Sequence, residues 1–238
     1  MIPIEPPDEK FAERARARQR QLTKPPGSLG KLESIAVRLA AIQRTERPAS
    51  FGRRVVVFAA NHGVTEEGVS PYPREVTAQM VSNFGAGGAA INALARAAQA
   101  EVVVVDAGVS RGTRNLAREA AMSEDEMRDA IEIGRAAARK AEGVALLGLG
   151  EMGIGNTTAA SAITSALTGL TPSQVTGKGT GLDEAGRRHK VDVIERALAL
   201  HRLSKDEPLE ILRTVGGLEI AALSGLCLEA AKQAVAIV

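Results

Sequence analysis

Apolar positions along the chain fall into two periods. Residues 55–58 (VVVF), 101–106 (EVVVVD) and 144–149 (VALLGL) are short apolar runs without alternation, as in parallel strands covered on both faces. Around them apolar residues recur at helical spacing, most clearly over 86–98, 123–141, 157–167 and 183–200. Strand and helix therefore alternate as in a doubly wound α/β fold, where ligands sit at the carboxyl ends of strands. Two further helical stretches, 8–21 and 29–43, precede the first strand. The break between them, Lys24-Pro25-Pro26-Gly27-Ser28, cannot continue a helix, and Ser28 is expected to cap the second. Residues 1–50 thus read as a helical arm and 51–238 as an α/β domain. Residues 217–231 read as a helix, and 234–238 as the start of another buried strand. Such a strand with nothing after it leaves apolar surface uncovered, so the chain is expected to be shortened at its C-terminus.

Composition changes this picture little. With 238 residues, 45% of them hydrophobic, a sizeable core is available and disorder is excluded. The net charge of +2 supplies no general attraction for nucleic acid or an anionic membrane. Residues 1–54 carry 12 basic and 6 acidic groups, the remainder 18 and 22. That basic start, interrupted by Glu13 and Glu33, reads as a solvated helix face. The lone Cys227 reads as a buried small hydrophobe. There is no apolar leader or membrane-length run, so a cytoplasmic location is expected.

Chemistry concentrates in four segments. Gly150-Glu151-Met152-Gly153-Ile154-Gly155-Asn156-Thr157-Thr158 follows the third apolar run and opens a helix. Its glycines admit close backbone approach, and its Asn and Thr with free N–H groups suit phosphate oxygens, although a plain turn and cap has the same composition. Glu151 beside a phosphate is unfavourable unless it meets a substrate hydroxyl or a developing cation; otherwise it is a solvated loop residue. Thr176-Gly177-Lys178-Gly179-Thr180-Gly181-Leu182-Asp183 again suits an anion, with Asp183 as N-cap of a helix carrying His189 and Lys190. By themselves Lys190 is a surface lysine and His189 an exposed one. After the first strand, His62 in Asn61-His62-Gly63 can be a general base or, preferably, a histidine that orders its loop, since no second His or Cys completes a metal set or triad. The glycines of residues 84–90 are read as opening a tightly packed helix.

These segments resemble the nicotinate-nucleotide:dimethylbenzimidazole phosphoribosyltransferases of cobalamin lower-ligand synthesis. The resemblance runs through LTKPPGSLGKLE (22–33), NHGVTEEGVSPYPREVTAQMV (61–81), GEMGIGNTTAA (150–160), VTGKGTGLD (175–183) and GGLEIAAL (216–223). It implies a Rossmann-like parallel sheet with flanking helices and a small helical domain, acting as a homodimer without metal or cofactor. It implies transfer of phosphoribose from nicotinate mononucleotide to 5,6-dimethylbenzimidazole, with inversion at the anomeric carbon. It makes Glu151 and Lys190 catalytic, and Gly153, Gly155, Asn156, Thr157, Gly177 and Gly179 nucleotide-binding. Residues 70–79 match the benzimidazole segment, with Ser70 and Gln79 as its candidates. One departure stands out: the family's principal general base, a glutamate in a GEGTGA-like motif, has no counterpart before Val238, and family chains run longer. A chain of this length is therefore expected to be inactive or nearly so. The alternatives are a non-catalytic nucleotide- or base-binding remnant and a related transferase using another base.

Overall fold

The computed structural model describes residues 4–141 and 143–238. The helical arm holds α1 (Glu9–Arg20) and α2 (Lys31–Gln43), which pack on each other. Then come β1 (Arg53–Ala60), a 3-10 turn (Gly63–Glu67), α3 (Val76–Gly85), α4 (Ala90–Ala97), β2 (Ala100–Gly108), α5 (Glu124–Arg139) and β3 (Leu146–Met152). The remainder is α6 (Asn156–Thr168), the short α7 (Pro172–Val175), α8 (Glu184–His201), α9 (Pro208–Val215), α10 (Leu218–Lys232) and β4 (Ala236–Ile237). The four strands form a parallel sheet in the order β2-β1-β3-β4, as the alternating pattern predicts.

The connections explain the layers. A right-handed crossover from β1 to β2 runs one way across the sheet and that from β2 to β3 runs the other, so their helices fall on opposite faces. α3 and α4 cover one face, whereas α10, backed by α5, covers the other. On the α10 side Val56, Phe58 and Ala60 of β1 meet Leu218, Ala222 and Leu226 of α10 and Met127 and Ala130 of α5. The two helices touch through backbone: a Cβ on Gly134 would lie 1.7 Å from Ala222 O, and one on Gly225 2.0 Å from Ile131 O. No side chain fits at either place.

Several sequence expectations need correction. The stretch 86–98 is not one helix, because Gly87 takes φ +76° and separates α3 from α4; the glycines of 84–90 end one helix before the next begins. Ser28 does not cap α2, whose N-cap is Gly30 without a side-chain bond. Coverage on both faces holds for β1, buried from Val56 to Ala60. β2 and β3 are half-buried, and Leu149 is 37% exposed. Cys227 is half-buried, with burial raising its thiol pKa. No helix among the described residues is long and apolar enough to cross a membrane.

Candidate active site

The chain steps from β1 to β2 on one side and then to β3 on the other, which opens a crevice beyond the carboxyl ends of β1 and β3. Glu151 stands there. It pairs in register with Phe58 on β1, so it belongs to the strand and not to the loop expected for it. Glu151 is exposed, and its carboxylate accepts a bond from Asn156 Nδ2. The desolvation it does undergo pushes its pKa above the ordinary carboxylate value; the Glu219 carboxylate adds to this and His62 opposes it.

Beneath Glu151 lies a pair that only partly matches expectation. His62 follows β1, and its Nε2 is 2.7 Å from Oε1 of Glu219 in the first turn of α10, with neither side chain exposed. His62 Nδ1 and Glu219 Oε2 meet no other protein partner. A Cβ on Gly217 would lie 2.4 Å from His62 Cε1, and one on Gly153 2.5 Å from Ala60 O and 3.2 Å from the His62 ring. These glycines make room for protein. His62 does order its loop, yet through a carboxylate that the sequence pattern did not single out. The available signal was an acid in the otherwise apolar GGLEIAAL run.

The phosphate-like half is built around Lys190. This lysine of α8 is 1% exposed, not the surface residue its isolated context suggests. Its Nζ donates to Thr157 Oγ1 at 2.6 Å, no carboxylate lies within ion-pair distance among the described residues, and burial pushes its pKa down to about 8. Gly179, at φ +54°, passes its backbone over both groups: a Cβ there would be 3.1 Å from Thr157 Oγ1 and 3.2 Å from Lys190 Nζ. The first turn of α6 contributes its positive dipole end.

The donors of this cradle differ from those expected. Ile154 N donates to Thr77 Oγ1 (3.1 Å), Asn156 N to Gly153 O (3.1 Å) and Thr158 N to Gly155 O (3.0 Å). The 153–158 turn therefore spends these N–H groups on itself and on α3. In the second loop, Gly181 and Leu182 N–H donate to Lys178 O, and no protein acceptor meets the N–H groups of Gly177, Lys178, Gly179 or Thr180 among the described residues. Asp183 caps α8 as expected, accepting from Gly186 N at 2.7 Å.

The Ser70 loop joins the same rim. Ser70 Oγ lies 3.1 Å from Thr180 Oγ1. Gln79 is exposed on α3, two residues beyond Thr77, which fixes that helix to the 153–158 turn. His189 is not idle: its ring reaches Glu67 O at 2.5 Å. Glu67 in turn accepts from Asn115, Arg118 and Arg196, which hold its carboxyl below the usual range. No group of three or more His, Cys, Asp or Glu side chains suited to a metal occurs among the described residues.

The chain is similar to known proteins along nearly its whole length. A family described as phosphoribosyltransferase matches residues 4–238. A nicotinate-nucleotide–dimethylbenzimidazole phosphoribosyltransferase of Pseudomonas putida (strain W619) is 50% identical, over 98% of this chain and 71% of its own length. One from Chloroflexus aggregans is 49% identical over 99% and 71%. The crystal structure of CobT from Thermus thermophilus superposes with a TM-score of 0.91 at 48% identity, covering 96% of this chain and 73% of that one.

Proposed function

The chain belongs to the nicotinate-nucleotide–dimethylbenzimidazole phosphoribosyltransferase family, and from that premise we propose that it moves the phosphoribosyl group of nicotinate mononucleotide onto 5,6-dimethylbenzimidazole. One ring nitrogen of the benzimidazole attacks the anomeric carbon from the face opposite nicotinate. The bond to nicotinate breaks and its electron pair stays on the pyridine nitrogen. The second benzimidazole nitrogen gives its proton to water, leaving α-ribazole 5′-phosphate and nicotinate. This is a step of cobalamin nucleotide-loop assembly.

The observation that carries this reading is Lys190: a buried ammonium whose side-chain partner is one hydroxyl, beside a helix N-terminus and a loop with open N–H groups. A buried charge without a counter-charge is unfavourable; a phosphate dianion supplies that charge. In this reading Lys190, Thr157 and the backbone from Gly177 to Gly179 take the 5′-phosphate. Asn156 orients Glu151, and Gly153 and Gly155 shape the turn beneath the ribose. Glu151 then meets positive charge developing on the sugar, an interaction stronger in the transition state than in the ground state. Ser70 and Gln79 border the space for the benzimidazole. The same reading has residues 1–50 as a small helical domain, a cytoplasmic location and a homodimer; the exposed Leu29, Leu32 and Ile35 of the arm suit a subunit contact.

The deciding experiment compares nicotinate mononucleotide with nicotinate riboside by calorimetry, beside a chromatographic assay for α-ribazole phosphate. Losing two charge-assisted bonds, each about 1.5 to 3 kcal/mol, predicts roughly a hundredfold or more weaker binding of the riboside. Equal affinities would remove the phosphate from the Lys190 seat.

A further inference from the structure

The His62–Glu219 pair has no assigned contact of its own with substrate, yet it is enclosed by residues of three of the motifs that build the site. Gly153 lies against the imidazole on the β3 side and Gly217 against both members on the α10 side. His62 also anchors the 3-10 turn, where Thr65 Oγ1 donates to its carbonyl at 2.8 Å. Such close wrapping leaves no space for a larger residue at either glycine. It leaves Glu219 Oε2 and His62 Nδ1 buried without partners, an unfavourable arrangement that packing alone would avoid, since an apolar pair of similar volume is usually as stable or more so.

We propose that His62 and Glu219 are a positioning pair for the transfer site, locking the ends of β1, β3 and α10 together and setting the field in which the Glu151 carboxylate works. The role deepens the transferase reading and rests on it. The titratable groups facing Glu151 from the elements around it are Glu219 on α10 and His62 beyond β1. α6 presents the neutral Asn156, and Lys190 of α8 is engaged at Thr157. The two members act in opposite senses on Glu151: the carboxylate disfavours its ionised form and the imidazole favours it. A carboxylate whose charge is disfavoured by burial and by Glu219 before the sugar becomes cationic, and is relieved as that positive charge grows, is matched to the transition state rather than to the bound nucleotide.

The opposite signs supply the test. In the protein labelled with 13C at glutamate carboxyls, the Glu151 resonance is identified by its loss in Glu151→Gln and followed across pH. Glu219→Gln keeps the shape and should move the Glu151 midpoint down by about half a pH unit or more, whereas His62→Gln should move it up by a similar amount. A purely structural pair would leave the midpoint in place, or shift it the same way in both variants through a common loosening. Either result overturns the proposal. Should Glu219→Gln not fold, Glu219→Asp draws the charge back by one methylene and must give a smaller downward shift; an unmoved midpoint there is equally fatal. The titration needs no turnover, so opposite shifts in a protein that binds nicotinate mononucleotide no better than the riboside would sink the transferase reading and keep the pair. Phosphate-dependent nucleotide binding with unmoved midpoints would do the reverse.

Discussion

The two halves of the site each bury a charged side chain, and they do so in different ways. At the carboxylate end Glu219 is closed off against His62. At the cation end Lys190 is equally hidden but rests on a hydroxyl alone. The first arrangement finds its counter-group within the protein, whereas the second finds one only when an anion arrives. Burial therefore has opposite meanings: near His62 it holds the fold together, and near Lys190 it stores an unfavourable charge that binding relieves.

The largest effect should come from breaking the paired half. His62→Ala leaves the Glu219 carboxylate buried and unpaired, which typically destabilises by about 3 to 5 kcal/mol. Urea denaturation should show the loss directly, and a midpoint near that of the unchanged protein would mean that the pair does not hold the fold together. Lys190→Met sharpens the contrast. Removing an uncompensated ammonium should leave thermal stability unchanged or raise it. Binding of nicotinate mononucleotide should weaken by about 10- to 150-fold, the equivalent of one charge-assisted bond at roughly 1.5 to 3 kcal/mol. Loss of stability and binding together would make Lys190 a structural residue like His62.

pH separates the halves again. Lys190 has a pKa of about 8 in the fold, against 10.5 for an unperturbed lysine. Between these values the unfolded chain binds more protons than the folded one, so the Lys190 contribution makes stability rise with pH through that window. Below about 8 both states are protonated and the full penalty of the buried charge is present. Nucleotide binding should run the other way: it needs the ammonium, so it weakens as pH rises above about 8. Calorimetry at a series of pH values reads this, and Lys190→Met should lose the dependence.

The legibility of each half in the sequence follows from the same physics. The parallel sheet was readable because β-branched runs such as VVVF and VVVV report burial locally. The phosphate side was readable in part, since alternating glycines and a lysine are a local signature. That Lys190 is buried was not, because burial depends on how α8 packs against α6. The N–H groups of Ile154, Asn156 and Thr158 looked free for a ligand but are taken by Thr77, Gly153 and Gly155, which depends on the folded turn and its packing on α3. The His62–Glu219 pair was least legible: its members are 157 positions apart, and nothing near either one names the other. Ser28 failed as a cap for a different reason, since Gly30 already breaks the chain two residues later.

The smallest effect tests the lid of the Lys190 half with its own internal control. Gly177 and Gly179 are both glycines of the TGKGTG loop, and composition gives no reason to rank them. The structure does. A Cβ on Gly177 would meet nothing within 4 Å, whereas one on Gly179 would press on Thr157 Oγ1 and Lys190 Nζ at a residue with φ +54°. Gly179→Ala should cost about 1 to 2 kcal/mol of stability through its left-handed backbone. It should also weaken nicotinate mononucleotide binding more than nicotinate riboside binding, because the added methyl group stands where the phosphate would meet the ammonium. Gly177→Ala, free of both penalties, should change stability by less than about 0.5 kcal/mol, as an unstrained surface substitution does. Denaturation, and calorimetry with both ligands, give six numbers for the two variants. If Gly177→Ala proves as damaging to nucleotide binding as Gly179→Ala, the contact over Lys190 is not what seats the phosphate, and the loop acts instead through N–H groups that both substitutions disturb.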